Sequence, residues 1–434
     1  MDAARSPLDL AALPAESART FPHTHKGHDM SGPLSGIRVF DLTRILAGPT
    51  ATQMLGDLGA DVIKIERPGQ GDDTRKWGPP FIKDGDGKDT SESAYYLAIN
   101  RNNRSVTLDI AQPEGQEIAK LLIARSDVFV ENFKVGDLAR YNLAYEQIKY
   151  DFPRLIYCSI TGFGQTGPYA PRAGYDFLAQ GMGGIMSLNG DPSTPPQKVA
   201  VAVTDIICGI YSVVGILAAL QHRHLTGRGQ QVDLALLDSQ VSWLANVGLQ
   251  YLTSGKVPTR MGNEHPSIVP YSVVPCSDGF FILAIGNDSQ FAKFAEFAGK
   301  PEWAADARFK TNPARVHNRV ECYRLIHEAT SQKPHTHWVE GLTELGVPCG
   351  PINDMAQVFE DPQVLARGMK IAMPHPLAGK GTVDLIGNPV KLSETPVDYH
   401  LPPPFCGQHT DQVLREMLHM SDDDLAALRA KKVI

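Results

Sequence analysis

"GIRVFDLTRILAGPTATQMLGDLGADVIKIE", residues 36–66, decides the fold. "IRVFDL" (37–42) is a short apolar run of strand length. "GPTATQMLGDLGA" (48–60) then shows helical spacing, and "DVIKIE" (61–66) is a strand again. "RSVTLDI" (104–110), "SDVFVENF" (126–133) and "RLIYCSI" (154–160) continue the series, with helical "EGQEIAKLLIAR" (114–125) between two of them. Alternation of this kind predicts a parallel sheet covered by helices. Residues 206–225 read as one long apolar helix, and "QVDLALLDSQVSWLANVGLQYL" (231–252) as a strand followed by another helix. Around 253–275 Pro258, Pro266, Pro270 and Pro275 break the pattern, as a linker into a second unit would. Residues 276–345 read as a smaller α+β piece containing the strand "GFFILAIG" (279–286), and the tail returns to mixed strands and ends in a helix.

At 434 residues the chain exceeds what one compact core covers, so two domains or one large α/β unit is expected. A net charge of -7 argues against nucleic acid or an anionic membrane as partner. No stretch approaches twenty apolar residues without polar or turn residues, so no membrane span is expected. The six cysteines (Cys158, Cys208, Cys276, Cys322, Cys349, Cys406) form no C-x-x-C pair and read as thiols in a reducing compartment. Residues 1–32 lack the composition of a transit or signal peptide and are expected to be a disordered tail, with Met30 a candidate start and His23, His25 and His28 at most an adventitious metal site.

Two motifs mislead. "TGFGQTG" (161–167) contains G-x-G-x-x-G after a strand, but Pro168 and "YAPRAGYD" follow instead of a helix, which argues against a dinucleotide site. "GDD" (71–73) beside Glu66 has no histidine partner, and no metal is assigned. The informative acid is Asp205, at the head of "VAVAVTDIICGIYSVVGILAAL" (199–220). Thr204 or Asp205 could simply cap the helix. A carboxylate held there as an anion by the dipole and backbone donors is also a competent nucleophile toward an activated acyl group, provided water is excluded.

Stretches spread over residues 33–434 resemble one family: the opening segment extended to "RPGQGDDTR", "DVFVENF", "TGFGQTGP", "AGYDFLAQ", "HLTGRGQQVDLALLDSQ", "GVPCGPIND" and "GQHTDQVL". The chain is similar to the class III coenzyme A transferases, whose family also contains the α-methylacyl-CoA racemases. "GDDTRKWGPPF", "HPSIVPY" and "FKTNPARVHNR" resemble the succinyl-CoA:glutarate (hydroxymethylglutarate) branch. The resemblance implies an α/β fold with a large Rossmann-like parallel-sheet domain (33–252, completed by 346–434) and a smaller α+β domain (253–345), in an interlocked-ring homodimer.

It also implies a nucleophilic role for Asp205, in a ping-pong transfer of CoA that needs no metal, ATP or redox cofactor. The CoA contacts it implies fall on Leu46, Ala47, Arg67, Leu108, Ala111, Asn132, Phe133, Lys134, Arg140, Tyr175 and Asp176. For a dicarboxylate's far end, chemistry points to Arg44, Arg75, Arg101 and His265. Two alternatives stand beside the transferase. A racemase needs a histidine base, and no histidine lies between His28 and His222; a CoA-binding protein without chemistry would have no need of Asp205. Residues 254–270 lack the glycine-rich lid of the formyl-CoA:oxalate transferases, which disfavours oxalate. Relatives of this branch can be mitochondrial; the tail's composition favours the cytoplasm.

Overall fold

The computed structural model describes residues 32–434. The expected disordered tail, its three histidines and Met30 lie outside the described residues. The chain divides into two compact units. Unit 1 comprises residues 32–183, Ala200–Trp243 and Ala366–Ile434; unit 2 comprises Gly184–Val199 and Leu244–Leu365.

Unit 1 is built on six parallel strands: β1 (Arg38–Leu42), β2 (Asp61–Glu66), β3 (Asn103–Thr107), β4 (Val128–Glu131), β5 (Ile156–Thr161) and β6 (Gln231–Ala235). Their order across the sheet is β3-β2-β1-β4-β5-β6. β4 and β5 read as nearly continuous apolar runs because both faces are covered. Alternate residues serve opposite sides. Phe40, Ile63, Phe129 and Tyr157 pack under the helix α2 (Pro113–Ile123) and the C-terminal helices Thr410–Leu418 and Asp422–Ala430. Val39, Val62, Val128 and Ile156 pack on the other face, with α1 (Ala47–Asp57) and α4 (Val203–Thr226). Between β5 and α4 lies the short helix α3 (Asp176–Met182), and β6 runs into α5 (Leu236–Ser242).

The long helix begins at Val203, three residues earlier than its apolar run suggests, and ends at Thr226. By length and composition it could cross a membrane. Here Cys208, Gly209, Ser212, Val213 and Ile216 face inward, while Ile210, Tyr211, Val214 and Leu217 are exposed. The segment expected as one helix through residue 252 is two: α5 stops at Ser242, and α6 (Ala245–Ser254) belongs to unit 2.

Unit 2 carries a three-stranded antiparallel sheet in which β8 (Gly279–Ala284) lies between β7 (Tyr271–Cys276) and β9 (Cys349–Gly350). Its core gathers Phe281, Leu283, Phe294, Trp303, Ile326 and Trp338. A fully buried Arg315 ties it together, donating to the carbonyls of Val269 (2.6 Å) and Phe309 (2.8 Å) and to Asp288 Oδ1 (2.8 Å).

Candidate active site

In an open parallel sheet, ligands bind beyond the carboxyl ends of the strands, where the strand order reverses direction. Here that point lies between β1 and β4. Asn132, just past β4, joins the two loops: its Oδ1 accepts the Arg44 N–H (3.1 Å), and its Nδ2 donates to the Arg44 carbonyl (2.7 Å). The Arg44 guanidinium lies 6.0 Å from the centre of the Phe133 ring.

Asp205 stands in the first turn of α4. The expectation that Thr204 or Asp205 caps this helix is corrected: Ala202 is the capping residue and contributes no side-chain bond. The first-turn donor is satisfied from elsewhere. Asp176 Oδ1, at the start of α3, accepts the Thr204 N–H (2.9 Å), while its Oδ2 accepts from Gln180 Nε2 (2.8 Å). Thr204 Oγ1 donates to Gln240 Oε1 (2.8 Å). The Asp205 carboxylate therefore does not receive the backbone donors expected of it, and among the described residues no hydrogen bond or ion pair reaches it. Burial, with Asp176 as a like charge nearby, pushes its carboxyl up to about 7. Packing brings α4 close to the start of α1: a Cβ on Gly209, one turn beyond Asp205, would lie 2.7 Å from the Ala47 carbonyl oxygen.

Tyr95 also belongs here, and sequence reasoning missed it. It lies on the short helix Ala94–Ala98, edge-on to Trp77 with ring centres 5.2 Å apart. Burial, and the negative charges of Asp205, Asp176 and Asp72, push its phenol up to about 12. No motif marks it; only the fold brings that helix to the acids.

The residues expected to contact CoA fall at the same edge of the sheet. Leu46 precedes α1 and Ala47 opens it; Arg67 follows β2; Leu108 and Ala111 follow β3; Asn132, Phe133 and Lys134 follow β4. Arg140 lies in a 3-10 turn after β4, with Tyr175 and Asp176 at the start of α3. Arg67 is exposed and Tyr175 is 63 % exposed, both open to a ligand.

The four cations proposed for a distal carboxylate part company. Arg44 is exposed at the switch point and pairs with Asp73 (2.9 Å). Arg75 is buried: it grips Glu66 through two nitrogens (2.8 and 2.7 Å), reaches Glu92 (3.1 Å) and the Pro404 carbonyl (3.0 Å), and lies 3.6 Å from the centre of the Tyr96 ring. Arg101 is likewise buried on Asp57 (2.9 and 2.6 Å) and the Ile386 carbonyl (2.8 Å). Both guanidiniums are held in the framework, where their donors are already engaged. His265 lies in unit 2, its Nδ1 accepting the Ser267 N–H (3.1 Å). Unit 2 has a cleft of about 390 Å³ lined by Asn189, Asp191, Asn263, Glu264 and His327. It holds none of the expected site residues, and Glu264 is engaged by Arg319 (3.0 Å).

The two misleading motifs also resolve. After "TGFGQTG" no helix forms until Asp176, and the glycines serve packing: Gly162 and Gly174 meet so closely that a Cβ on Gly162 would lie 2.5 Å from the Gly174 Cα. In "GDD", Asp72 pairs with the buried Lys64 (3.1 Å) and Asp73 with Arg44.

Comparison with known proteins identifies the family. Residues 34–410 match the profile of CoA-transferase family III. The chain is 50% identical over 386 residues to the succinate–glutarate CoA-transferase of Agrobacterium fabrum, covering 89% of this chain and 96% of that protein. It is 43% identical over 402 residues to the human succinyl-CoA:glutarate CoA-transferase, covering 93% and 90% of the two chains. The crystal structure of a CAIB/BAIF family protein from Brucella suis superposes with a TM-score of 0.80 at 50% identity, over 89% of this chain and all of that one. A profile match over most of the chain and relatives at 43–50% identity along nearly all of it lead to one conclusion: this protein belongs to CoA-transferase family III.

Proposed function

We propose that this protein moves CoA from succinyl-CoA to a dicarboxylic acid such as glutarate or 3-hydroxy-3-methylglutarate, with Asp205 as the nucleophile. The observation that carries the reading is the half-buried Asp205 carboxylate, free of hydrogen bonds at the mouth of the sheet. An oxygen without hydrogen bonds keeps its lone pairs for attack.

The cycle has four steps. The Asp205 oxygen attacks the succinyl thioester carbonyl and the C–S bond breaks, giving a succinyl–aspartyl anhydride and CoA thiolate. The thiolate attacks the aspartyl carbonyl, releasing succinate and leaving an aspartyl-CoA thioester. A glutarate oxygen then displaces the thiolate to form a glutaryl–aspartyl anhydride. The thiolate attacks the glutaryl carbonyl, releasing glutaryl-CoA and the Asp205 carboxylate. One thioester replaces another, so the exchange requires no metal, ATP or redox cofactor. Water must be excluded, since it would hydrolyse either anhydride.

Leu46, Ala47, Arg67, Leu108, Ala111, Asn132, Phe133, Lys134, Arg140, Tyr175 and Asp176 form the CoA edge in this reading, with Arg67 and Arg140 suited to its phosphates. Arg44 is the cation for the acceptor's far carboxylate, displacing Asp73 as its partner. The working form is an interlocked homodimer in the cytoplasm. The exposed apolar face of α4 (Ile210, Tyr211, Val214, Leu217) supports a covering partner chain. Sedimentation at micromolar concentration tests this: a monomer would contradict it.

The functional test mixes the protein with succinyl-CoA and a panel of dicarboxylic acids and reads the new acyl-CoA masses. Glutaryl-CoA formed by the wild type and absent with Asp205→Ala is the expected result. A product from another acid corrects only the acceptor, and no transfer to any acid refutes the reading.

A further inference from the structure

Ile45 is the only β-branched residue among the described ones in the left-handed region, with φ +72°. A side chain branched at Cβ avoids that backbone, which persists only where its surroundings over-determine it, most often beside an active site. Several groups hold the segment in place. Both oxygens of Asp72 accept the Ile45 N–H (3.2 and 3.3 Å). Lys64, wholly buried on β2, donates to the Thr43 carbonyl (3.0 Å) and pairs with Asp72 Oδ2 (3.1 Å). Asp41 Oδ1 accepts the Thr43 N–H (2.8 Å), and Asn132 holds Arg44 from the other side. Two residues beyond Ile45, Ala47 opens α1, and its carbonyl abuts Gly209 of the helix bearing Asp205.

We propose that the Lys64–Asp72 pair is a latch that holds Ile45 left-handed and so sets the Leu46–Ala47 edge of the CoA site against the Asp205 helix. Lys64 and Asp72 are positioning residues that act through the backbone of Ile45. The inference rests on the reading that Leu46 and Ala47 border CoA. Its chemistry explains a buried charge at this place. A carboxylate can accept several bonds at once, and Asp72 serves Ile45, both donors of Thr74 and the ammonium. The ammonium tolerates burial because Asp72, Asp41 and Glu66 surround it.

The test compares Asp72→Asn, Ile45→Gly and the double variant in succinyl-CoA:glutarate transfer. In Asp72→Asn, Asp41 and Glu66 still face Lys64. Misplacement of the loop should cut kcat/KM for succinyl-CoA by roughly 10- to 100-fold, mainly through its KM. Glycine adopts φ +72° without steric cost, so it needs no latch. Ile45→Gly should stay near the wild type and should restore most of the loss when combined with Asp72→Asn. Full activity in Asp72→Asn, or a double variant as weak as Asp72→Asn alone, overturns the latch. If Asp72→Asn fails to fold, the double variant must fold and transfer CoA; its failure to do so assigns Asp72 to the framework and overturns the proposal. A wild type without transfer would refute the functional reading instead, so the two failures are distinct.

Discussion

Two groups of carboxylates lie at the same edge of the sheet and are treated in opposite ways. At the end of β2 and in the loop after it, both buried acids are engaged: Glu66 by Arg75 and Ser105, and Asp72 by Lys64, Thr74 and Ile45. These cations and donors outweigh burial and hold both carboxyls below their ordinary values. At the head of α4, Asp205 has no such partner, and its carboxyl is pushed up to about 7. The difference separates two uses of a buried acid. Where the carboxylate fixes a loop, every lone pair is occupied. At Asp205, the nucleophile of the proposed function, donors are withheld, and the Thr204 N–H of the same turn goes to Asp176 instead.

The largest effect should come from removing the unpartnered acid. Asp205→Asn should cost on the order of 10⁵ in kcat, read by steady-state transfer, while CoA binding persists. The same change should stabilise the protein in alkaline buffer. Asp205 has a folded value of about 7 against an ordinary 3.8. Its native state therefore holds the extra proton between those values; that contribution is complete below the lower one and lost as pH rises through the upper. Asp205→Asn should thus raise Tm at about pH 8, by on the order of 2 °C, and leave it unchanged at about pH 4.

Breaking the paired group should act on stability instead. Arg75→Met leaves Glu66 and Glu92 buried without their cation and should cost about 3–5 kcal/mol, seen as a lower urea midpoint. If Arg75→Met kept its stability and lost only affinity for glutarate, the division drawn here would be wrong. Smaller again, Arg44→Ala should raise KM for the dicarboxylate by roughly 10- to 100-fold and KM for succinyl-CoA with it, since the succinyl group presents its own free carboxylate to the same cation. Smallest, Asp176→Asn removes the like charge beside Asp205 and keeps an oxygen for Thr204. The acid limb of kcat/KM, set near 7 by ionisation of Asp205, should move to lower pH by roughly one unit.

Much of this was legible in the sequence where local pattern and burial coincide. "DVIKIE" is β2 residue for residue, because Val62, Ile63 and Ile65 mark a buried strand whose charged members Lys64 and Glu66 find partners inside the fold. The start of α4 was not legible, because the acid that meets its first-turn donor sits 28 residues earlier in the chain. Arg44, Arg75 and Arg101 look alike as letters. Only tertiary packing leaves the first in solvent and buries the other two on Glu66 and Asp57. Tyr95 was invisible for the same reason, since its helix has five residues and no motif. Ile45 reads as an ordinary apolar residue, and its backbone reversal depends on a carboxylate 27 positions away.

In the proposed cycle Asp205 carries the CoA covalently. Intact-mass spectrometry of the protein quenched during turnover with succinyl-CoA tests it most directly, followed by peptide mapping. A gain equal to one coenzyme A less one water is expected, located on Asp205, absent in Asp205→Asn and discharged by glutarate as glutaryl-CoA. An active enzyme that carries this mass on another residue, or an Asp205→Asn variant that is still loaded and discharged, would contradict it.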